Sequence, residues 1–204
     1  MTTPAAAQAS ATELDVAVLQ LTSVDDVSVN TKNILTLLES LQGPAPDLVT
    51  LPENALYMRV REGTPIPPLS LEDPGLAKLA AWCRRSGARL HIGSVPLSRR
   101  GKLYNASLLI EPDGSIVDVY DKIHLFDVDV AGHKPVRESD VFAHGERPAT
   151  FTVKGWKFGC TICYDLRFSE LFAKYAALEV DVILIPSAIL VPTGKAHWEV
   201  MTRA

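Results

Sequence analysis

Short apolar runs alternate with stretches of helical periodicity along the first half of the chain. The apolar runs that predict buried strands are residues 14–21, 47–51 and 90–95. Between them, apolar side chains spaced three and four residues apart predict helices over residues 25–41 and 71–86. Ser23 precedes the first helix, and we expect its hydroxyl to cap it. This order predicts strands joined by crossover helices.

Hairpins interrupt this pattern in the second half of the chain. The predicted elements are hairpin strands at 104–110 and 115–119, a second hairpin at 151–153 and 156–162, a helix at 167–178, a strand at 181–185 and a helix from 195 onward. Residues 121–148 have no clear periodicity, and such a long irregular stretch in a compact domain is usually functional. The mixed order predicts a layered α/β fold with helices outside the sheet.

Composition and charge are those of an ordinary globular chain. The 204 residues indicate one domain, which we place at residues 14–204, after a mobile N-terminal tail at residues 1–13. A net charge of −4 disfavours nucleic acid as a partner. No apolar run approaches the roughly 20 residues that span a bilayer, so no membrane partner is expected. Three cysteines are too few for a disulfide framework and favour a cytoplasmic location.

Two cysteines, Cys160 and Cys163, have the C-x-x-C spacing of redox and zinc sites. Cys160 lies in a strand-like run, KFGCTIC, in which residues three apart point to opposite faces. The five histidines are scattered without a paired metal-binding spacing. The sequence therefore favours one structural and one functional cysteine and no metal. A redox protein with a reversible Cys160–Cys163 disulfide stays open as an alternative.

Cys163 ends an apolar strand and precedes a polar cluster, YDLR, that leads into a helix. A strand–turn–helix corner lifts a side chain out of the sheet and directs backbone N–H groups toward it. Such a corner suits a nucleophilic thiol, although a buried packing cysteine fits the same local pattern.

Three charged residues could serve that nucleophile. Glu53 follows a strand and a proline in VTLPEN, at the rim where α/β folds place their sites. Lys122 lies in YDKIHLF, and Glu138 lies in the same long irregular stretch. Each is by itself consistent with a solvated surface charge. Together they supply a base, a cation for an oxyanion and a second carboxylate.

Several segments, in order, resemble motifs of the nitrilase, or carbon–nitrogen hydrolase, superfamily. They are residues 51–54 (LPEN), 120–127 (YDKIHLFD), 159–171 (GCTICYDLRFSEL), 186–188 (PSA) and 193–198 (TGKAHW). The resemblance runs from about residue 14 to the last residue. It implies an αββα sandwich, normally a homodimer, and a hydrolase that cleaves a non-peptide carbon–nitrogen bond without a metal or organic cofactor. Within the superfamily the chain looks most like the omega-amidase and deaminated-glutathione amidase branch.

The resemblance also implies catalytic roles. Cys163 would be the nucleophile that forms a thioester, Glu53 the general base and Lys122 the oxyanion stabiliser, with a lowered thiol pKa beside the lysine. Glu138 matches the second active-site glutamate of the branch that acts on small amides.

Two neighbours of the nucleophile would contact the substrate. The backbone N–H of Tyr164 would join Lys122 at the oxyanion, and Arg167 would bind a second carboxylate on the substrate, unless it only ties the cysteine loop together.

The chain stops where domains of this superfamily continue. The resemblance therefore implies an incomplete domain that lacks the C-terminal strands of the sandwich, with an unpaired sheet edge. A catalytically silent binding or remnant protein of the same fold is the alternative to an active amidase.

Overall fold

The computed structural model describes residues 13–61, 63–129 and 135–204 of the chain. The first sheet is built from the N-terminal half of the molecule. Within these residues the sheet has five strands in chain order. They are β1 (Val16–Val18), β2 (Leu48–Thr50), β3 (Arg89–Arg99), β4 (Lys102–Ile110) and β5 (Ile116–Asp121). β1, β2 and β3 are parallel, whereas β3, β4 and β5 form antiparallel pairs. The predicted first hairpin, β4–β5, is confirmed, and the longer β3–β4 pair was not predicted.

Helices α1 (Val27–Glu39) and α2 (Pro74–Ser86) cover one face of this sheet. Their apolar stripes, including Ile34 of α1 and Leu79 of α2, pack on alternate strand residues such as Val49. All three side chains are fully buried.

The cap predicted for the first helix was wrong. The side chain of Asp26, not Ser23, caps α1 and accepts a hydrogen bond from the Val29 N–H at 3.0 Å. Ser23 is buried and donates instead to the Ala55 carbonyl at 3.1 Å. It thereby ties the segment before α1 to the loop that carries Glu53.

A second sheet follows, in the part of the chain that the structure describes, with three strands in the order β10-β9-β8. Its strands and those of a short β6–β7 pair are β6 (Asp127–Val128), β7 (Val136–Arg137), β8 (Thr150–Val153), β9 (Trp156–Cys160) and β10 (Val182–Leu184). Helix α3 (Ser169–Ala177) packs on the outer face through Tyr175, which is fully buried. A Cβ on Gly159 would lie 2.9 Å from the Tyr175 ring, so this close approach requires glycine.

The two sheets face each other. Leu48 and Leu109 of the first sheet pack against Val153 and Phe158 of the second. Since α1 and α2 lie outside one sheet and α3 lies outside the other, the layers are helix, sheet, sheet, helix. The predicted αββα sandwich is confirmed.

Several boundaries differ from the predicted ones. The helix predicted at 167–178 is a 3₁₀ helix, Cys163–Arg167, followed by α3, and the last helix, α4 (Val191–Arg203), begins four residues before 195. The stretch at 121–148 contains the β6–β7 pair and a 3₁₀ helix, Glu138–Asp140, while its residues 130–134 lie outside the described residues. The tail predicted at residues 1–13 lies outside them as well, except for residue 13.

None of the helices in the described ranges is both long and apolar enough to cross a lipid bilayer.

His91 makes the stability of the sandwich depend on pH. The ring is fully buried between the sheets, stacks on Phe151 at 5.9 Å and lies 3.0 Å from the Thr50 hydroxyl through Nδ1. Burial lowers its pKa from 6.5 to about 4. Between these values the unfolded chain binds a proton that the folded chain does not, so stability falls as pH drops from 6.5 toward 4.

We therefore expect His91 to contribute a loss of about 3 kcal/mol in the free energy of unfolding across that interval. Urea unfolding at pH 7 and at pH 4.5 measures this difference in the free energy of unfolding. His91→Leu should show a smaller loss than the wild type, while His144→Gln, at an exposed histidine, should match the wild type. Equal losses in His91→Leu and the wild type would contradict this assignment.

Candidate active site

The sequence-predicted residues come together beyond the C-terminal ends of strands from both sheets. Glu53 lies three residues beyond β2, Lys122 directly follows β5, and Cys163 lies three residues beyond β9. Glu138 begins the 3₁₀ helix after β7. The sandwich therefore gathers side chains that are far apart in sequence at one end of its sheets.

Lys122 is the centre of a buried ion cluster. Its side chain is 2% exposed, and Nζ lies 3.0 Å from Glu53 Oε1 and 2.9 Å from Glu138 Oε2. Burial acts to lower the pKa of Lys122, but the two carboxylates outweigh it and raise the pKa above its usual range. Lys122 therefore stays an ammonium at every physiological pH.

Backbone and side-chain donors fix both carboxylates. Glu53 Oε2 accepts a hydrogen bond from the Ala188 N–H at 2.8 Å. Glu138 Oε2 accepts one from the Phe126 N–H at 2.6 Å, and Glu138 Oε1 accepts one from Asn105 Nδ2 at 2.9 Å. Both carboxylates are thus held by contacts besides the lysine.

Asn105 was missed by sequence reasoning. It is 3% exposed in β4, its Nδ2 also lies 3.4 Å from Glu53 Oε1, and its carbonyl accepts from the Lys122 N–H at 2.9 Å. The available signal was an asparagine inside an otherwise apolar strand, YNASLLI, since a buried amide needs partners.

Cys163 begins the 3₁₀ helix with a left-handed backbone conformation, φ 48°. Non-glycine residues seldom adopt this conformation, and it needs support from the surrounding structure. The Cys163 N–H donates to the Pro186 carbonyl at 2.9 Å, which is one such support.

The thiol contacts the ion cluster, with a consequence opposite to the predicted one. Burial and the charge of Glu53 raise the pKa of the Cys163 thiol to about 12, and the opposing effect of Lys122 is smaller. The expected lowering of the pKa was wrong, because burial of the thiol and the charge of Glu53 together outweigh the effect of Lys122. A thiol in this state needs a base to take its proton, and Glu53 is the carboxylate that acts most strongly on it.

A cavity of about 680 Å³ opens in front of this cluster. Glu53, Lys122, Glu138 and Cys163 all line it, as do Tyr164 and Arg167. The Tyr164 ring packs edge-on against Phe126 at 5.0 Å, and the Arg167 guanidinium lies 5.8 Å from the Tyr164 ring centroid. Arg167 is exposed. The six residues singled out from the sequence therefore share one cavity.

The model of the carbon-nitrogen hydrolase family matches residues 15–204. The chain belongs to this family. Relatives include an omega-amidase from Mus musculus, 36% identical over 91% of this chain and 67% of its own length. A deaminated glutathione amidase from Yersinia enterocolitica is 35% identical, over 93% of this chain and 68% of its own length. A hydrolase from Schizosaccharomyces pombe is 33% identical, over 93% of this chain and 59% of its own length.

Solved structures also match the fold of this chain. The Caenorhabditis elegans NitFhit protein matches with a TM-score of 0.80 and 25% identity, over 93% of this chain and 47% of its own. A nitrilase-superfamily protein from Saccharomyces cerevisiae matches with a TM-score of 0.76 and 27% identity, over 93% of this chain and 70% of its own. The chain thus spans between about half and 70% of these two proteins.

Cys160 is more deeply buried than Cys163. It is fully buried at the end of β9, and burial raises its pKa to about 12. All three cysteines of the chain are free. Among the described residues, no three His, Cys, Asp or Glu side chains are grouped so that they could hold a metal ion.

Proposed function

We propose that this chain carries the site of a cysteine amidase, which hydrolyses a small amide to a carboxylate and ammonia through a thioester on Cys163. The observation that carries the proposal is that the Cys163 thiol and the buried Glu53–Lys122–Glu138 cluster line the wall of one cavity, where Glu53 and Lys122 both act on the thiol. It supplies a nucleophile, a base beside it and a fixed cation.

In the first half of the reaction, Glu53 takes the thiol proton as the sulfur attacks the amide carbonyl. The raised pKa of the thiol, about 12, supports proton removal during the attack rather than a standing thiolate. The Lys122 ammonium and the Tyr164 backbone N–H would hold the oxyanion. As the tetrahedral intermediate collapses, the C–N bond breaks and Glu53 returns the proton to the leaving nitrogen, which departs as ammonia.

In the second half, water hydrolyses the thioester. Glu53 takes a proton from the water as its oxygen attacks the acyl carbon, and the proton then returns to the sulfur of Cys163. The products are the carboxylic acid and the free thiol, so no redox partner or cofactor is required. Glu138, bound to Lys122 and Asn105, would hold the lysine in place through both halves.

The substrate class follows from the cavity and the named relatives. A cavity of about 680 Å³ accommodates a small organic amide. The relatives are an omega-amidase and a deaminated glutathione amidase. We propose a monoamide that carries a distant carboxylate, with Arg167, on the cavity wall, as its cation.

Ammonia release from a panel of amides, nitriles and carbamoyl compounds tests the proposal. We expect turnover of amides, and a loss of at least about 100-fold in Glu53→Gln, which cannot accept the proton. Glu39→Gln, at an exposed glutamate of α1, is the matched control and should keep full activity. Amide binding without ammonia release would instead support a catalytically silent binding protein, and turnover confined to nitriles or carbamoyl compounds would contradict the amidase.

We also propose that the chain works as a homodimer in the cytoplasm. Leu190, Val191 and Val200, in and just before α4, are each about 70% exposed, and apolar side chains so exposed favour a protein interface. The free thiols favour a reducing compartment. Light scattering of the purified chain distinguishes a dimer from a monomer.

A further inference from the structure

Asp165 is a fully buried carboxylate that the proposed mechanism does not use. Its Oδ2 accepts hydrogen bonds from the Tyr120 hydroxyl at 2.7 Å and the Ile162 N–H at 2.9 Å. Its Oδ1 lies 3.0 Å from the His124 backbone N and 2.7 Å from His124 Nδ1. A buried carboxylate is costly unless donors satisfy it, and Asp165 has four.

These donors come from two different parts of the site. Tyr120 and His124 lie two residues on either side of Lys122: Tyr120 is within the end of β5, and His124 follows the strand. Ile162 and Asp165 bracket Cys163, and the Asp165 N–H also donates to the Ile162 carbonyl at 3.1 Å. One carboxylate therefore joins the lysine segment of the first sheet to the cysteine turn of the second.

Ring stacking and burial support this junction. The His124 ring stacks on Phe168 with centroids 3.7 Å apart and planes 5° apart. Burial, together with the charge of Asp165, raises the pKa of Tyr120 above its usual range, so its hydroxyl stays a donor. Cys163 sits between these contacts in its left-handed conformation.

We propose that Asp165, with Tyr120 and His124, is a positioning clamp that fixes Cys163 relative to Lys122 and Glu53. The inference rests on the proposed function for its catalytic consequence. The clamp holds the left-handed turn at Cys163 and stops the thiol from moving away from its base and cation. Without the clamp, the thiol would move out of its buried position beside Glu53. Its reactivity would then approach that of a solvent-exposed cysteine.

Tyr120→Phe is the variant that tests the clamp, because it removes one hydroxyl and keeps the ring. Loss of the hydrogen bond from the Tyr120 hydroxyl to the Asp165 carboxylate should lower kcat by about 10-fold, while KM stays within about twofold of the wild-type value. Alkylation of Cys163 by iodoacetamide at pH 8 should become faster, because the loosened thiol escapes the burial and the Glu53 charge that raise its pKa. Turnover and alkylation thus change in opposite directions, which a general loss of folded protein does not produce.

Tyr175→Phe is the matched control. It also loses a buried hydroxyl, one whose hydrogen bonds go to the Cys160 carbonyl and the Ala149 N–H and not to Asp165, Tyr120 or His124, so kcat and alkylation should stay near wild-type values. If Tyr120→Phe does not fold, His124→Phe serves instead, since it keeps the stacking on Phe168 and removes the Nδ1 contact.

The outcomes separate the clamp from the proposed function. Changes in Tyr120→Phe no larger than those in Tyr175→Phe would overturn the clamp, whatever the activity. If the wild type releases no ammonia from any amide but Tyr120→Phe still alkylates faster at Cys163, the proposed function fails and the clamp stands. Asp165→Asn combined with Tyr120→Phe should have little more effect on alkylation than Asp165→Asn alone, because both variants act on the Tyr120–Asp165 hydrogen bond.

Discussion

Cys163→Ala should lower kcat for amide hydrolysis by at least about 10⁴-fold, because it removes the atom that carries the acyl group. The cavity and the ion cluster of Glu53, Lys122 and Glu138 remain, so substrate binding should survive. Steady-state ammonia release and a separate binding measurement on the same preparation test both parts.

Cys160→Ala is the control for this variant. Cys160 lies three residues earlier, is fully buried and packs with Tyr120 and Ile162 in the core. Its loss should cost stability through a small cavity but leave turnover per folded molecule unchanged. The proposed mechanism is wrong if Cys163→Ala keeps turnover, and the assignment of the nucleophile is wrong if only Cys160→Ala loses it.

Lys122→Met should have the second-largest effect, because it leaves two carboxylates without their shared cation. Removing one partner of a buried ion pair typically costs about 3–5 kcal/mol of folding free energy. The pKa of Lys122 is raised above its value in the unfolded chain, so its contribution is fully present below about pH 10 and is lost only as pH rises beyond that. Loss of the oxyanion cation should also lower kcat by at least about 100-fold.

Urea unfolding at pH 7 and ammonia release measure the two effects of Lys122→Met separately. Lys102→Met, at an exposed lysine of β4, is the matched control and should change neither by much. Wild-type stability in Lys122→Met would contradict the description of this cluster as a buried, mutually stabilised set of charges.

The sequence could predict β2 and β3, because apolar residues leave a strong pattern wherever a strand is buried. The burial predicted for residues 14–21 was wrong, since Val16 and Val18 of β1 are exposed. The sequence could also predict that Cys163 lies at a corner, since KFGCTIC ends before a polar cluster and a helix. It predicted the wrong cap for α1, Ser23 in place of Asp26. Both residue types cap helices, and only the position of Ala55 shows that the Ser23 hydroxyl has another acceptor.

The charges of the site were the least predictable part. Lys122 and Glu138 lie in a stretch without periodicity, where two-residue strands are set by long-range contacts rather than by local pattern. The direction of the Cys163 pKa shift depends on how deeply the thiol is buried and on how many carboxylates share Lys122. Neither quantity is encoded in the spacing of residues along the chain.

The hydrogen-bond partners of Asn105 and Asp165 could not be predicted from the sequence either. Each is a polar residue whose partners come from other elements: Asn105 reaches Glu53 and Glu138, and Asp165 reaches Tyr120 and His124. A pattern can indicate that a buried polar residue needs partners, but the fold decides which partners it meets.

Trapping of the acyl-enzyme is the most direct test of a thioester on Cys163. The protein is mixed with a slowly hydrolysed amide, quenched in acid and digested, and the peptide containing Cys163 is weighed by mass spectrometry. We expect an added mass equal to the substrate minus ammonia on Cys163, removable by hydroxylamine, present in Cys160→Ala and absent in Cys163→Ala. Ammonia release with no adduct on Cys163, or with the adduct on Cys160, would contradict this mechanism.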